Sequence, residues 1–153
     1  MLSRRQVLAR LAALPAAPLL AVLEGDETRI CEGTGYSAVL TWRGDRLCER
    51  NGYSVVLRFD GERVRFQGNR WTIRESSSRA VLSEGTGYSA VATNRDGRVT
   101  EGTGYGALWT MRQSGDTGRI CPRTSSSAEW TARGPALTDG QVLATLLALD
   151  ALP

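Results

Sequence analysis

The segment Glu32–Trp42, EGTGYSAVLTW, returns as EGTGYSAVATN from Glu84 and as EGTGYGALWTM from Glu101. Glu32 to Glu49 is an interval of 17 residues, and Glu84 to Glu101 is 17 again. Diverged copies fill the rest: ERNGYSVVLRF from Glu49, QGNRWTIRES from Gln67 and PRTSSSAEWT from Pro122. A chain that uses one short unit about six times must reuse one supersecondary element, because no single unit can bury its own apolar face.

Within a unit, alternation marks a strand with one apolar face. Tyr36, Ala38, Leu40 and Trp42 share a face, as do Tyr53, Val55, Leu57 and Phe59, and Tyr105, Ala107, Trp109 and Met111. That one-sided pattern belongs to antiparallel sheet, and it assigns Tyr36, Tyr53, Tyr88 and Tyr105 to the core. Arg43-Gly44-Asp45, Asp60-Gly61 and Asp96-Gly97 are hairpin turn signals in the middle of the units. Gly33-Thr34-Gly35, Asn51-Gly52 and Gly102-Thr103-Gly104 supply turns at the opposite end. A stacked solenoid would instead put Glu32 over Glu49 in register, about 4.8 Å apart.

The expected fold is therefore all-β. It is an antiparallel meander of about six hairpin repeats, ten to twelve strands, closed into a barrel or folded into two layers. The repeats occupy residues 24–134. An extra residue after Arg63-Val64 predicts a bulge there. Residues 135–153 hold a short helix packed on the sheet, capped by Thr138 or Asp139, with Val142, Leu143, Leu146, Leu147 and Leu149 as its apolar stripe.

Cys31, Cys48 and Cys121 fall on one repeat position. In a meander, equivalent positions of neighbouring units lie two strands apart, roughly 9–10 Å, too far for a Cys31–Cys48 bridge. Closure of the sheet could bring Cys121 to either of the others. In an oxidising compartment one bridge and one spare thiol are expected.

The three arginines within residues 1–23 account for the whole formal charge of +3, and the remaining 16 arginines face 16 acidic residues. No basic tract is left to follow a phosphate backbone, so no nucleic-acid partner is expected. Ser3-Arg4-Arg5-Gln6-Val7-Leu8 followed by an apolar run from Leu11 to Leu23 resembles a twin-arginine export signal. Thirteen apolar residues are too few for a membrane span of about 20. Residues 1–23 are thus read as an export signal of a bacterial periplasmic or secreted protein, with no transmembrane span in the mature chain.

The chain has no histidine and no lysine. That excludes Ser-His-Asp and Cys-His catalysis, histidine metal sites and Schiff-base chemistry. Glu32, Glu49, Glu84 and Glu101 could in principle supply paired carboxylates, but beside a turn in every copy they read as solvated turn residues. Arg43-Gly44-Asp45 spells an adhesion tripeptide and reads as a plain turn. The expectation is a non-enzymatic protein without metal or cofactor.

LCERNGYSVVLRFDGERVRF from Leu47, then WTIRESSSRA, GYGALWTM and a terminal RIC ending at Cys121 resemble the periplasmic and membrane-bound inhibitors of C-type lysozyme. That family is a small antiparallel β-barrel. The resemblance implies a Cys48–Cys121 bridge, an inhibitory loop at Ser76, Ser77 and Ser78, and Arg112 as a cationic partner to the carboxylates of a lysozyme-type protein. The competing expectation is a structural or adhesion module of the cell envelope, whose repeats extend a sheet.

Overall fold

A computed structural model describes residues 27–153, so the export signal read at residues 1–23 lies outside the described residues. Twelve strands follow one another: β1 (Thr28–Glu32), β2 (Ala38–Arg43), β3 (Arg46–Glu49), β4 (Val55–Phe59), β5 (Arg63–Phe66), β6 (Asn69–Glu75), β7 (Ala80–Glu84), β8 (Ala90–Arg95), β9 (Arg98–Glu101), β10 (Ala107–Ser114), β11 (Thr117–Pro122) and β12 (Trp130–Arg133). Each pairs antiparallel with the next, and β1 pairs with both β2 and β12, so the meander closes into a barrel. Of the two architectures left open by the sequence, closure is the one adopted; it removes both sheet edges.

The lumen is filled by one residue from the middle of each odd-numbered strand, Ile30, Leu47, Val64, Leu82, Val99 and Ile120, all fully buried. Register places each between two lumen residues of its neighbours, as Ile30 lies between Leu40 and Ala132. The helix α1 (Asp139–Ala148) occupies the space these side chains leave. Val142 to Leu147 are buried without interruption, which a helix packed by one stripe alone would not show. Thr138 is its N-cap and forms a capping box with Gln141. Trp42 Nε1 donates to Thr145 Oγ1 at 2.9 Å, Trp109 Nε1 to the Ala151 carbonyl at 2.9 Å, and Asn94 Nδ2 to the Asp139 carbonyl at 3.2 Å. Strands from across the ring thereby hold one plug.

Arginines 29, 46, 58, 63, 65, 98 and 119 stand exposed on the strands, while the lumen is apolar. This is the reverse of the apolar-out pattern of membrane barrels. No helix among the described residues is long and apolar enough to cross a membrane.

Three expectations fail, each for a reason in the register. The first concerns the tyrosines, which are not core: Tyr36, Tyr53, Tyr88 and Tyr105 are 74–86% exposed. A bulge at Val39 changes the phase of β2, so Ala38 pairs with Cys31 whereas Leu40 pairs with Ile30 in the core. Tyr36 then lies beyond the strand, in a loop.

The second failure is the disulfide. All three cysteines are free and buried. Cys121 on β11, Cys31 on β1 and Cys48 on β3 occupy alternate strands around the closed ring. Closure brings Cys121 only to within two strands of Cys31, about 9–10 Å away, so neither Cys48–Cys121 nor any other bridge forms.

The third is the bulge. Register shifts occur at Ile30/Cys31, Leu47/Cys48, Leu82/Ser83 and Ala107/Trp109, and none between β4 and β5, where the extra residue had predicted one. Gln67 and Gly68, both with positive φ, join β5 to β6 as a bare two-residue turn. Each of these four shifts adjoins a long loop, and this unit has no long loop.

Candidate functional site

All long connections lie at one end of the barrel and fold back over its outer face. Each starts with a left-handed residue, Gly33, Arg50, Gly85, Gly102 or Arg123. The N–H of that residue donates to a carbonyl of the preceding unit, for example Arg50 to Val39, the bulged residue, at 2.9 Å. Two residues further on, an N–H closes a turn, as Gly35 does on the Glu32 carbonyl at 3.0 Å.

The threonine of a Thr-x-Arg triplet in the preceding unit holds each loop, and at four of the five the arginine adds to it. Thr41, Thr72, Thr93, Thr110 and Thr131 donate to the carbonyls of Arg50, Gly85, Gly102, Arg123 and Gly33, at 2.5–2.6 Å. Arg43 donates to the Gly52 and Asn51 carbonyls, Arg74 to Gly87 and Thr86, Arg112 to Ser125 and Thr124, and Arg133 to Gly35 and Thr34. The last of these ties the sixth unit to the first with the bonds used everywhere else. Three of the guanidinium groups also stack on the tyrosine of the loop they clamp: Arg43 on Tyr53, Arg74 on Tyr88 and Arg133 on Tyr36, 4.0–4.4 Å from the ring centroids. Each tyrosine thus has one face covered by a cation and its hydroxyl and remaining surface in solvent.

Between the loops of the first two units runs a groove of about 760 Å³ over the outer face of β1. Tyr36 and Tyr53 stand at its sides with Arg133 and Arg43. Arg29, Glu27, Asn51 and Asp116 also line it. Glu27 forms an ion pair with Arg43. Its size lies in the range of small-ligand sites, and its lining combines aromatic surface with forked cationic donors and acidic acceptors. A second hollow of about 360 Å³ forms at Arg95, Arg98, Thr100, Gly104 and Tyr105.

The residues singled out in the sequence are not brought together. Ser76 to Ser78 form part of the turn between β6 and β7, at the short-turn end, where Ser76 Oγ donates to the Arg79 carbonyl. Arg112 lies on β10, and its side chain clamps the Thr124–Ser125 loop at the other end. Arg43 of the Arg-Gly-Asp turn is likewise committed, to Gly52, Asn51 and Glu27. Glu32, Glu49, Glu84 and Glu101 are exposed, as expected, but each is the last residue of a strand, β1, β3, β7 or β9, and precedes the turn rather than lying in it.

The clamp was the missed signal. Thr-x-Arg recurs in five of six units at one repeat position, and the exception, Arg58-Phe59-Asp60, immediately precedes the unit that lacks the loop. Comparison with protein families, curated proteins and solved structures finds no match to this chain.

Proposed function

We propose that this is a non-enzymatic binding protein that receives a saccharide in the groove over β1. The observation that carries the reading is the exposure of the tyrosines. Tyr36 at 74% and Tyr53 at 78% project aromatic surface into solvent from loops fixed by hydrogen bonds, beside arginine and carboxylate side chains suited to hydroxyl groups. Aromatic faces pack against the C–H faces of sugar rings while forked donors fix their orientation. The twin-arginine-like residues 3–8 would deliver this site to the periplasm or beyond, where envelope glycans are the available partners. Titration calorimetry against envelope oligosaccharides tests it. Tyr36→Ala and Tyr53→Ala should each weaken binding about tenfold, the equivalent of ~1.4 kcal/mol, and Tyr88→Ala, outside the groove, should not. Equal losses in all three variants would remove the reading.

A second reading, inhibition of a lysozyme-type protein, is favoured by one feature. Ser76–Arg79 is a four-residue, wholly exposed projection at the short-turn end, able to enter a cleft. Lysozyme activity unchanged at high micromolar protein would end it.

A further inference from the structure

At the junction without a loop, the outer face of the barrel is bare, and register lines up arginines across it. Arg46 on β3 lies directly opposite Arg58 on β4, Arg58 opposite Arg65 on β5, and Arg65 opposite Arg70 on β6. The row continues on the other side to Arg43 on β2, which is opposite Arg46 but already engaged in its clamp. All four of Arg46, Arg58, Arg65 and Arg70 are exposed. Only Arg46 has a carboxylate nearby, Asp45 at 3.9 Å; among the described residues no acidic group lies within 4.0 Å of the other three. Arg65 and Arg70 also line a shallow hollow with Gly68 and Asn69.

Like charges directly opposite one another on a sheet are destabilising. Arg58 stands where five other units carry the clamping threonine, so an uncharged residue is compatible with the position. A row of four guanidinium groups, three of them with no acidic neighbour among the described residues, that stability does not call for points to an anionic partner.

We propose that strands β3–β6 form a docking strip for a linear acidic polysaccharide, a chain of uronic acids whose successive carboxylates meet successive arginines. The inference is independent of the groove over β1. Neighbouring strands set the arginines about 4.8 Å apart, roughly 14 Å from Arg46 to Arg70, a spacing of the order of one sugar ring per cation. The guanidinium fork takes a carboxylate bidentately. Single-stranded nucleic acid is the weaker fit, because sequence-tolerant binding of it relies on aromatic rings on which bases stack. The exposed tyrosine adjoining the strip, Tyr53, has Arg43 over its face. An anionic membrane is also a weaker fit. Its plane meets a convex barrel along a line, and the large apolar side chains exposed among the described residues are Val55 and the four tyrosines, too few to insert.

The test titrates the full chain with polygalacturonate, with its methyl-esterified form, with a single-stranded oligonucleotide and with phosphatidylglycerol vesicles, at low and at 0.15 M salt on the order of physiological strength. Polygalacturonate should bind, more weakly as salt rises, and the esterified chain should not. Arg58→Gln together with Arg65→Gln should reduce affinity at least tenfold. Arg98→Gln together with Arg119→Gln, exposed arginines on the far side of the ring, should change it less than twofold. Arg58→Thr should lose binding while its unfolding midpoint stays the same or rises, which separates the strip from a structural role. Equal losses from both double variants, binding of the esterified chain, or tighter binding of the oligonucleotide or the vesicles would each overturn the proposal.

Discussion

Five junctions between units and the sixth are built from the same strands but finished differently. At five, the threonine of a Thr-x-Arg triplet holds the next unit's long loop over the outer face, joined at four of them by the arginine. At the β5–β6 junction the long loop is absent, its register runs without a bulge, and the preceding β4 carries Arg58-Phe59-Asp60 in place of the triplet. The joint absence of triplet and loop shows that these two form one device. At the Arg50 loop the bulged Val39 offers its carbonyl to the loop's first N–H, Thr41 closes on the Arg50 carbonyl, and Arg43 on the two after that. Without a loop these donors would have nothing to bond, and arginine facing water replaces threonine.

The largest effect should come from breaking a clamp where it also closes the barrel. Thr131 is 1% exposed and donates to the Gly33 carbonyl. Thr131→Val removes the donor and leaves that carbonyl partly buried without it, at an expected cost of about 1–3 kcal/mol in denaturant unfolding. Amide exchange should accelerate first across the β1–β12 pairing. The matched change at the bare junction, Arg58→Thr, should cost nothing. A loss from Arg58→Thr equal to that from Thr131→Val would dissolve the distinction between the two kinds of junction.

Within the clamped set, units differ at the loop's first residue. Gly33, Gly85 and Gly102 hold positive φ freely, but Arg50 and Arg123 sit at φ 51° with a Cβ that the left-handed region disfavours. Arg50→Gly should therefore raise stability by up to ~1 kcal/mol, and Gly33→Ala should lower it by a similar amount. Thermal unfolding of the two variants checks the sign.

A further comparison concerns the slot held by Cys31, Cys48 and Cys121 in three units and by Ser83 and Thr100 in two others. The Ser83 and Thr100 hydroxyls are buried with no hydrogen-bond partner. The slot accepts a small apolar side chain, which is how a buried free cysteine behaves. Ser83→Ala and Thr100→Val should each stabilise by about 1 kcal/mol, whereas Cys31→Ser should destabilise by creating the same orphan. The cysteines thus read as packing, not as failed disulfides.

Much of this fold was legible. The period of 17 fixed the unit, the Asp-Gly and Gly-Asp signals fixed the hairpins, and alternation identified Leu40, Leu57 and Trp42 as core. What alternation could not convey was the bulge, because one inserted residue shifts the phase and sends Tyr36 outward while the pattern of letters looks unbroken. The arginine strip was equally hidden. Residues 46, 58, 65 and 70 form no basic tract along the chain and become one only through register. The plug's burial on all sides was obscured by Gly140, Ala144 and Thr145, small residues that look indifferent to burial and are buried against the wall.

The smallest effect contrasts two carboxylates at the short-turn end. Asp60 accepts hydrogen bonds from the Arg63 and Glu62 N–H groups, which hold its carboxyl below the ordinary 3.8. Asp139, in the first turn of α1, is pushed above that value by burial and by the nearby charges of Asp96 and Glu75. The signs are opposite. Asp60 contributes stability above pH 3.8 that is lost as pH falls through its lowered value. Asp139 contributes stability below pH 3.8 that is lost as pH rises through its raised value. Both groups are largely solvated, so each effect is screened and small. Asp60→Asn should lower the unfolding midpoint at pH 7 and leave it unchanged near pH 2. Asp139→Asn should raise the midpoint at pH 7, where the charged carboxylate sits against Glu75 and Asp96, and the gain should vanish in acid. A midpoint that falls on Asp139→Asn at pH 7 would mean that the helix N-terminus, which favours a negative charge in its first turn, outweighs the repulsion of those two neighbours.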